Sequence, residues 1–148
     1  MKAISRVLAI ALVAVAAGVV GHSAQAANVL GGTNRADTIN GSAAADILFG
    51  RGGADTIHGN GGNDILFGGG GADHVVGGSV SDTIIDDDTV ANDTIEPGRG
   101  TNTIYAADGA KTTINCEQTA TGGNSDDIVF ADAPAIDTVS HCGHVFRV

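Results

Sequence analysis

An aspartate recurs every nine residues at Asp37, Asp46, Asp55, Asp64, Asp73 and Asp82, six times with no break in phase. The units read GTNRADTIN (32–40), GSAAADILF (41–49), GRGGADTIH (50–58), GNGGNDILF (59–67), GGGGADHVV (68–76) and GGSVSDTII (77–85). Each opens on glycine and places one aliphatic residue two positions after its aspartate. A unit this short cannot bury its own apolar side chain and must stack on copies of itself, so the period reads as a solenoid. The glycine half can turn sharply, and the residues after the aspartate can form a short strand. Ile39, Leu48, Ile57, Leu66, Val75 and Ile84 then point inward from the strand centres.

Alternate units resemble one another more than adjacent ones do, since the triplets after aspartate read TIN, ILF, TIH, ILF, HVV and TII. Two units therefore make one coil of 18 residues between two parallel sheets. Thr38, Thr56 and His74, beside Asn40, His58 and Val76, line a polar outer face; Ile47, Ile65 and Thr83, beside Phe49, Phe67 and Ile85, line an apolar one.

Stacking puts Asp37, Asp55 and Asp73 in one column and Asp46, Asp64 and Asp82 in another, with neighbours ~4.8 Å apart. Carboxylates at that distance repel by about 1 kcal/mol in water and by several-fold more where water is partly excluded. Unobstructed glycine carbonyls lie beside them, so each turn offers an all-oxygen donor set that suits Ca²⁺ better than Mg²⁺. Turn hydrogen bonds alone are the plainer use of these aspartates.

GRGGADTIH, GNGGNDILF and GGGGADHVV resemble the calcium-binding nonapeptide of repeats-in-toxin proteins, G-G-x-G-x-D-x-U-x, where U is a large aliphatic. The resemblance covers residues 32–85 and implies an all-β parallel β-roll with Ca²⁺ held between turns one coil apart. Carried over residue by residue, the ligand sets are Gly50, Gly52 and Gly53 with Asp55, Gly59, Gly61 and Gly62 with Asp64, and Gly68, Gly70 and Gly71 with Asp73. Asp37, Asp46 and Asp82 complete the columns. The fourth position is Arg35, Ala44 and Val80 in the first, second and sixth units, so sites involving Asp37 or Asp46 are expected to be weaker than the pairs Asp55/Asp73 and Asp64/Asp82. Binding is expected to couple to folding.

Residues 1–26 differ in kind from the repeats. Lys2 and Arg6 precede an apolar run from Val7 to Val20, and Ala24-Gln25-Ala26 presents small residues where a signal peptidase reads. This predicts a secretory signal cleaved before Ala27, the run being shorter than the ~20 residues that cross a bilayer. The mature chain is expected to be extracellular, with no membrane span. The family's usual export signal is C-terminal, so the route expected here departs from it. Removing Lys2 and Arg6 leaves five basic residues against 17 acidic ones, a net charge near −12 that disfavours nucleic acid and favours cations. Cys116 and Cys142, an even pair in an exported chain, predict a disulfide, with metal ligation as the alternative.

The expected domains are the signal (1–26), the calcium-binding roll (27–85) and a degenerate solenoid with a C-terminal cap (86–148). In the last, Asp93-Thr94-Ile95, Asn102-Thr103-Ile104, Thr112-Thr113-Ile114, Asp127-Ile128-Val129 and Asp137-Thr138-Val139 echo the repeat at wandering spacing, as coils without dependable metal sites. GGNSDDIVF (122–130) regains much of the pattern, but its stacking partner cannot be read. Asp86, Asp87 and Asp88 read as a solvated acidic loop or a further cation site, and His141 and His144 beside Cys142 as incidental or a transition-metal site. No G-x-S-x-G, H-E-x-x-H or P-loop occurs, so no enzyme is expected. Three roles remain: a secreted calcium-binding module, an adhesin-like or ice-binding surface on the Thr38/Thr56 column, and a module that docks a protein or itself through Ile47, Phe49, Ile65, Phe67 and Ile85. The C-terminal half covering that stripe is the alternative to docking.

Overall fold

In the computed structural model, residues 26–89, 92–116, 126–134 and 136–148 are described; the segment expected to be a secretory signal, except its last residue, and residues 122–125 lie outside them. The described chain is all strand: β1 Val29–Gly31, β2 Thr38–Asn40, β3 Ile47–Gly52, β4 Thr56–Gly61, β5 Ile65–Gly70, β6 His74–Ser79, β7 Thr83–Ile85, β8 Asn92–Gly98, β9 Thr103–Ala106, β10 Lys111–Asn115, β11 Ile128–Ala131, β12 Thr138–Ser140 and β13 His144–Arg147. Odd strands form a seven-stranded sheet and even strands a six-stranded one, each in sequence order. All pairing is parallel, so the chain alternates between sheets and advances one rung per coil. This is the parallel β-roll that the nonapeptide phase predicts.

Strand period two sets what is inside. Ile39, Leu48, Ile57, Leu66, Val75 and Ile84 form one buried cluster, as expected, and Ile95, Ile104, Ile114 and Val129 extend it. The wandering C-terminal echoes are rungs of the same ladders: Ile114 pairs with Ile95 and Val139, and Val129 with Ile104 and Val145. Their spacing is irregular because the turns lengthen while the strand register is kept. The first residue of each unit also faces in. On the seven-stranded sheet this second inward column runs Gly32, Gly50, Gly68, Asp86, Ala106 and Ala131, all buried.

Cys116 and Cys142 form a disulfide across 26 residues, as their pairing in sequence suggests. Closing a loop of that length stabilises by about 3 to 4 kcal/mol on the chain-entropy account. His141 Nδ1 instead lies 3.1 Å from Asn115 Oδ1, and His144 is exposed on β13. With Cys142 committed to the disulfide, the transition-metal alternative loses its central ligand.

The outer faces differ as the alternating triplets require. On the six-stranded sheet the register aligns Thr38, Thr56, His74, Thr94, Thr113 and Thr138. On the seven-stranded sheet it aligns Phe49, Phe67, Ile85, Tyr105, Phe130 and Phe146. Phe49 stacks on Phe67 at 4.7 Å, Tyr105 on Phe130 at 5.1 Å and Phe130 on Phe146 at 5.3 Å. Ile47, flanked in its column by Val29 and Ile65, is only 4% exposed and adds little to that surface.

Leu66 has no exposed surface and sits mid-ladder between Leu48 and Ile84. Leu66→Ala should cost about 2–5 kcal/mol. Denaturant unfolding of both proteins under identical calcium checks this; a loss below half of that range would mean the ladder collapses around the gap.

Candidate metal centre

Each repeat aspartate is positioned by the strand it precedes and is shared between coils. Oδ1 of Asp55 accepts the backbone N–H of Asp37 at 2.8 Å, Oδ1 of Asp73 that of Asp55 at 2.7 Å, and Oδ1 of Asp93 that of Asp73 at 2.6 Å. In the other column Asp64 accepts from Asp46 at 2.7 Å, Asp82 from Asp64 at 2.9 Å and Asn102 Oδ1 from Asp82 at 2.7 Å. Asp127 Oδ1 accepts the N–H of Asn102 at 2.7 Å, so the partner of the GGNSDDIVF segment is Asn102, 25 residues back. The sequence pattern missed this pairing because a longer excursion separates the two rungs.

The second oxygen distinguishes the turns. Oδ2 of Asp55, Asp64, Asp73, Asp82 and Asp93 is buried with no hydrogen-bond donor. Leaving such an atom unmet costs desolvation energy on the order of 1–3 kcal/mol, more when it is charged. Asp37 and Asp46 are different. Thr33 donates its N–H and hydroxyl to Asp37 Oδ2 at 2.6 and 2.7 Å, and Ser42 does the same to Asp46 Oδ2 at 2.5 and 2.9 Å. In these two units a hydroxyl residue occupies the second position, so the turn meets its own carboxylate.

The opening glycines frame the orphaned oxygens. A β-carbon at Gly50 would stand 2.6 Å from Asp55 Oδ2 and overlap the Gly68 carbonyl oxygen. At Gly59 it would stand 2.5 Å from Asp64 Oδ2 against the Gly77 carbonyl, and at Gly77 2.6 Å from Asp82 Oδ2 against the Pro97 carbonyl. The Gly68 position is looser, with Asp73 Oδ2 at 3.1 Å. A bare glycine thus leaves a carboxylate oxygen and a carbonyl oxygen from the next coil beside one small space. Gly52, Gly53, Gly61, Gly62, Gly70 and Gly71 do a second job, laying turn on turn: Gly53 donates to the Gly70 carbonyl at 2.7 Å, and a β-carbon on Gly62 or Gly71 would strike the turn one coil back.

The fourth-position departures separate into two cases. Gly53, Gly62 and Gly71 hold positive φ there, and Val80 adopts 79° in the same place, a strained conformation for a β-branched residue. Arg35 and Ala44 do not take positive φ, so their turns have another shape, the one capped by Thr33 and Ser42.

Electrostatics follows burial. Burial first, offset in part by the Asp46 N–H, and then the Asp82 and Asp46 charges push Asp64 up to about 7. Burial likewise holds Asp82 at about 7 and Asp73 at about 6, and raises Asp55. Asp37 moves the other way, lowered by the Thr33 backbone and hydroxyl bonds. Orphaned carboxylate oxygens, adjacent carbonyls, no basic partner among the described contacts of Asp55, Asp64, Asp73 and Asp82, and turns stacked one coil apart form a donor set that fits a hard divalent cation such as Ca²⁺. Fold and site together define a parallel β-roll whose turns present oxygen donors between coils.

The profile of the RTX calcium-binding nonapeptide repeat family matches residues 31–66, 49–84 and 87–110. The chain belongs to that family. No curated protein and no solved structure gives a significant match. No helix among the described residues is long and apolar enough to cross a membrane.

The raised carboxylates set the sign of a pH effect. Without calcium the folded state holds protons on Asp64, Asp73 and Asp82 that the unfolded chain, near its ordinary 3.8, has released. Stability of the calcium-free roll should therefore fall as pH rises from the ordinary 3.8 to about 7 and level off above. Saturating calcium requires the ionised form, so the trend should reverse. Thermal melts between pH 5 and pH 8, in chelator and in calcium, read both slopes; parallel slopes would contradict the assignment.

Proposed function

We propose that this chain is a secreted calcium-binding protein whose nonapeptide turns take up Ca²⁺ and couple binding to folding. The observation that carries the reading is the row of buried, donorless Oδ2 atoms on Asp55, Asp64, Asp73 and Asp82, each beside a glycine, which at Gly50, Gly59 and Gly77 has no room for a side chain. Asp55 with Gly50 and Gly68, Asp64 with Gly59, Asp73 with Gly68, and Asp82 with Gly77 are the primary holders. Gly52, Gly53, Gly61, Gly62, Gly70 and Gly71 stack the turns that carry them. Asp37 and Asp46, already capped by Thr33 and Ser42, are the weakest candidates.

Bound Ca²⁺ supplies positive charge between carboxylates that otherwise repel and links turns that otherwise touch only through backbone. The chain's own part is to present oxygens at fixed spacing and to exclude side chains from the gap. Glycine-rich turns lose much entropy on ordering, so the roll gains most from a ligand that binds only the folded state. Secretion fits this use, since extracellular calcium lies in the range of weak modular sites, ~10⁻⁴–10⁻³ M. The segment at 1–26 supports that location by composition. The role is structural rather than catalytic: the aspartates are tied into the ladder, and no catalytic motif stands in the sequence.

Calcium added to chelator-treated protein should produce a large gain of β signal in far-UV circular dichroism. Asp64→Ala with Asp73→Ala should bind fewer ions in equilibrium dialysis and need more calcium to fold. An unchanged spectrum in the wild type would sink the reading.

A second reading is favoured by one observation. Strands β9, β11 and β13 lengthen the apolar stripe of Phe49, Ile65, Phe67 and Ile85 by Tyr105, Phe130 and Phe146 rather than folding over it, and Tyr105 and Phe146 are 45% and 51% exposed. In this reading the calcium-stabilised roll docks a protein or another copy through that face. Light scattering should then show calcium-dependent association that Tyr105→Ser with Phe146→Ser abolishes; a monomer at all calcium levels would exclude self-association.

A further inference from the structure

We propose a further cation site, beyond the six in-phase units and reaching into the matched stretch 87–110, held by Asp86, Asp88 and Asp108. One carboxylate oxygen from each lies within 4.8 Å of those of the other two, the only such group of metal-ligating side chains among the described residues. They come from two adjacent turns, those following β7 and β9, whose strands pair in register from Thr83↔Thr103 to Ile85↔Tyr105.

Asp86 stands in the inward column between Gly68 and Ala106, where the other members are glycine or alanine. A carboxylate there is buried, with 6% exposure. Its Oδ2 accepts the Thr112 hydroxyl at 2.7 Å, and its Oδ1 is buried with no donor. Asp108 repeats the arrangement: Oδ1 accepts the Ala110 N–H at 2.8 Å, while Oδ2 is buried with no donor. Asp88 is fixed through Oδ2 by the Gly71 N–H at 2.9 Å, which ties this turn to the nonapeptide turn before it.

Each carboxylate is thus anchored by a hydrogen bond, and Asp86 and Asp108 each hold a buried oxygen that no N–H or basic group meets among the described residues. Neither Asp86 nor Asp108 pairs with a basic side chain among the described residues. Asp93, itself 3% exposed, faces Asp86 closely enough for the two carboxyl groups to share a proton, and brings a fourth carboxylate to the group. Carboxyl groups this crowded are relieved either by sharing protons or by a cation among them, and a divalent ion relieves all of them at once. All-oxygen, carboxylate-rich donors select a hard divalent ion, and Ca²⁺ tolerates their irregular spacing better than Mg²⁺.

The chemistry differs from that of the repeats. A nonapeptide turn offers one carboxylate and glycine carbonyls. Here Asp86 to Asp93 takes seven residues where Gly68 to Asp73 takes five, the opening glycine is gone, and carboxylates stand in for the carbonyls. The site extends cation bridging into the part of the roll where the glycine pattern has lapsed.

Calcium bound per chain is counted by equilibrium dialysis for the wild type, for Asp108→Asn and for Asp86→Asn with Asp108→Asn, with far-UV circular dichroism at the same calcium level. The asparagine oxygens keep the bonds to Ala110 and Thr112. The expected result is one ion fewer per chain with the spectrum preserved; a folded variant that keeps the full complement overturns the proposal. If the double variant does not fold, anomalous scattering from wild-type crystals grown in calcium decides. A peak among Asp86, Asp88 and Asp108 supports the site, and its absence overturns it. A peak there with none beside Asp55, Asp64, Asp73 or Asp82 would keep this site and defeat the nonapeptide reading. The opposite pattern would defeat this site alone.

Discussion

One hydrogen bond repeated along two columns organises the molecule: from Asp46 onward, a carboxylate oxygen of each repeat aspartate takes the backbone N–H of the equivalent residue one coil back. That N–H lies at the corner where the strand begins and has no partner in the sheet, so the bond meets an obligatory donor and locks the coil spacing together. Its side effect is electrostatic. Every aspartate so used is drawn into the wall of the roll with its second oxygen still to be met, and a stack of coils becomes a stack of buried negative charge.

The chain answers that demand in three ways along its length. Thr33 and Ser42 cap the first two carboxylates from within their own turns, which needs no ligand. The next turns give the second position to Arg51, Asn60, Gly69 and Gly78, which adopt positive φ and leave the oxygen without a donor. Past Ile85 side chains replace backbone: Thr112 and Asn102 enter the ladder positions, and the disulfide closes the far coils covalently. The repeat carboxylates left without a donor are therefore concentrated in the middle coils, between a hydroxyl-capped start and a cross-linked end.

Much of this was legible because a solenoid turns a three-dimensional neighbour into a fixed offset in sequence. With strict nine-residue phase, Ile57, Leu66 and Val75 had to face inward, and the alternating triplets had to separate a threonine face from a phenylalanine face. The cysteine pair was equally plain from number and setting. Past residue 85 the offset is no longer constant. Asp73 bonds 20 residues ahead to Asp93, and Asn102 bonds 25 ahead to Asp127, so an eye tuned to 18 finds echoes and not partners. The separate behaviour of Asp37 and Asp46 was hinted at by Arg35 and Ala44, but its cause lies in Thr33 and Ser42, which a consensus treats as ordinary variation.

By itself, then, the sequence determined the two-unit coil, its inward ladder, its unlike faces and the columns of carboxylates, since all of these follow from periodicity and from the pleat of a strand. Tertiary structure alone decided which carboxylate oxygens are met and which are left bare, and that Asp86 and Asp108, 22 residues apart, share one space. Those outcomes depend on the register between coils of unequal length. Register is set by packing of the buried aliphatic ladder across the whole stack, which no single segment encodes.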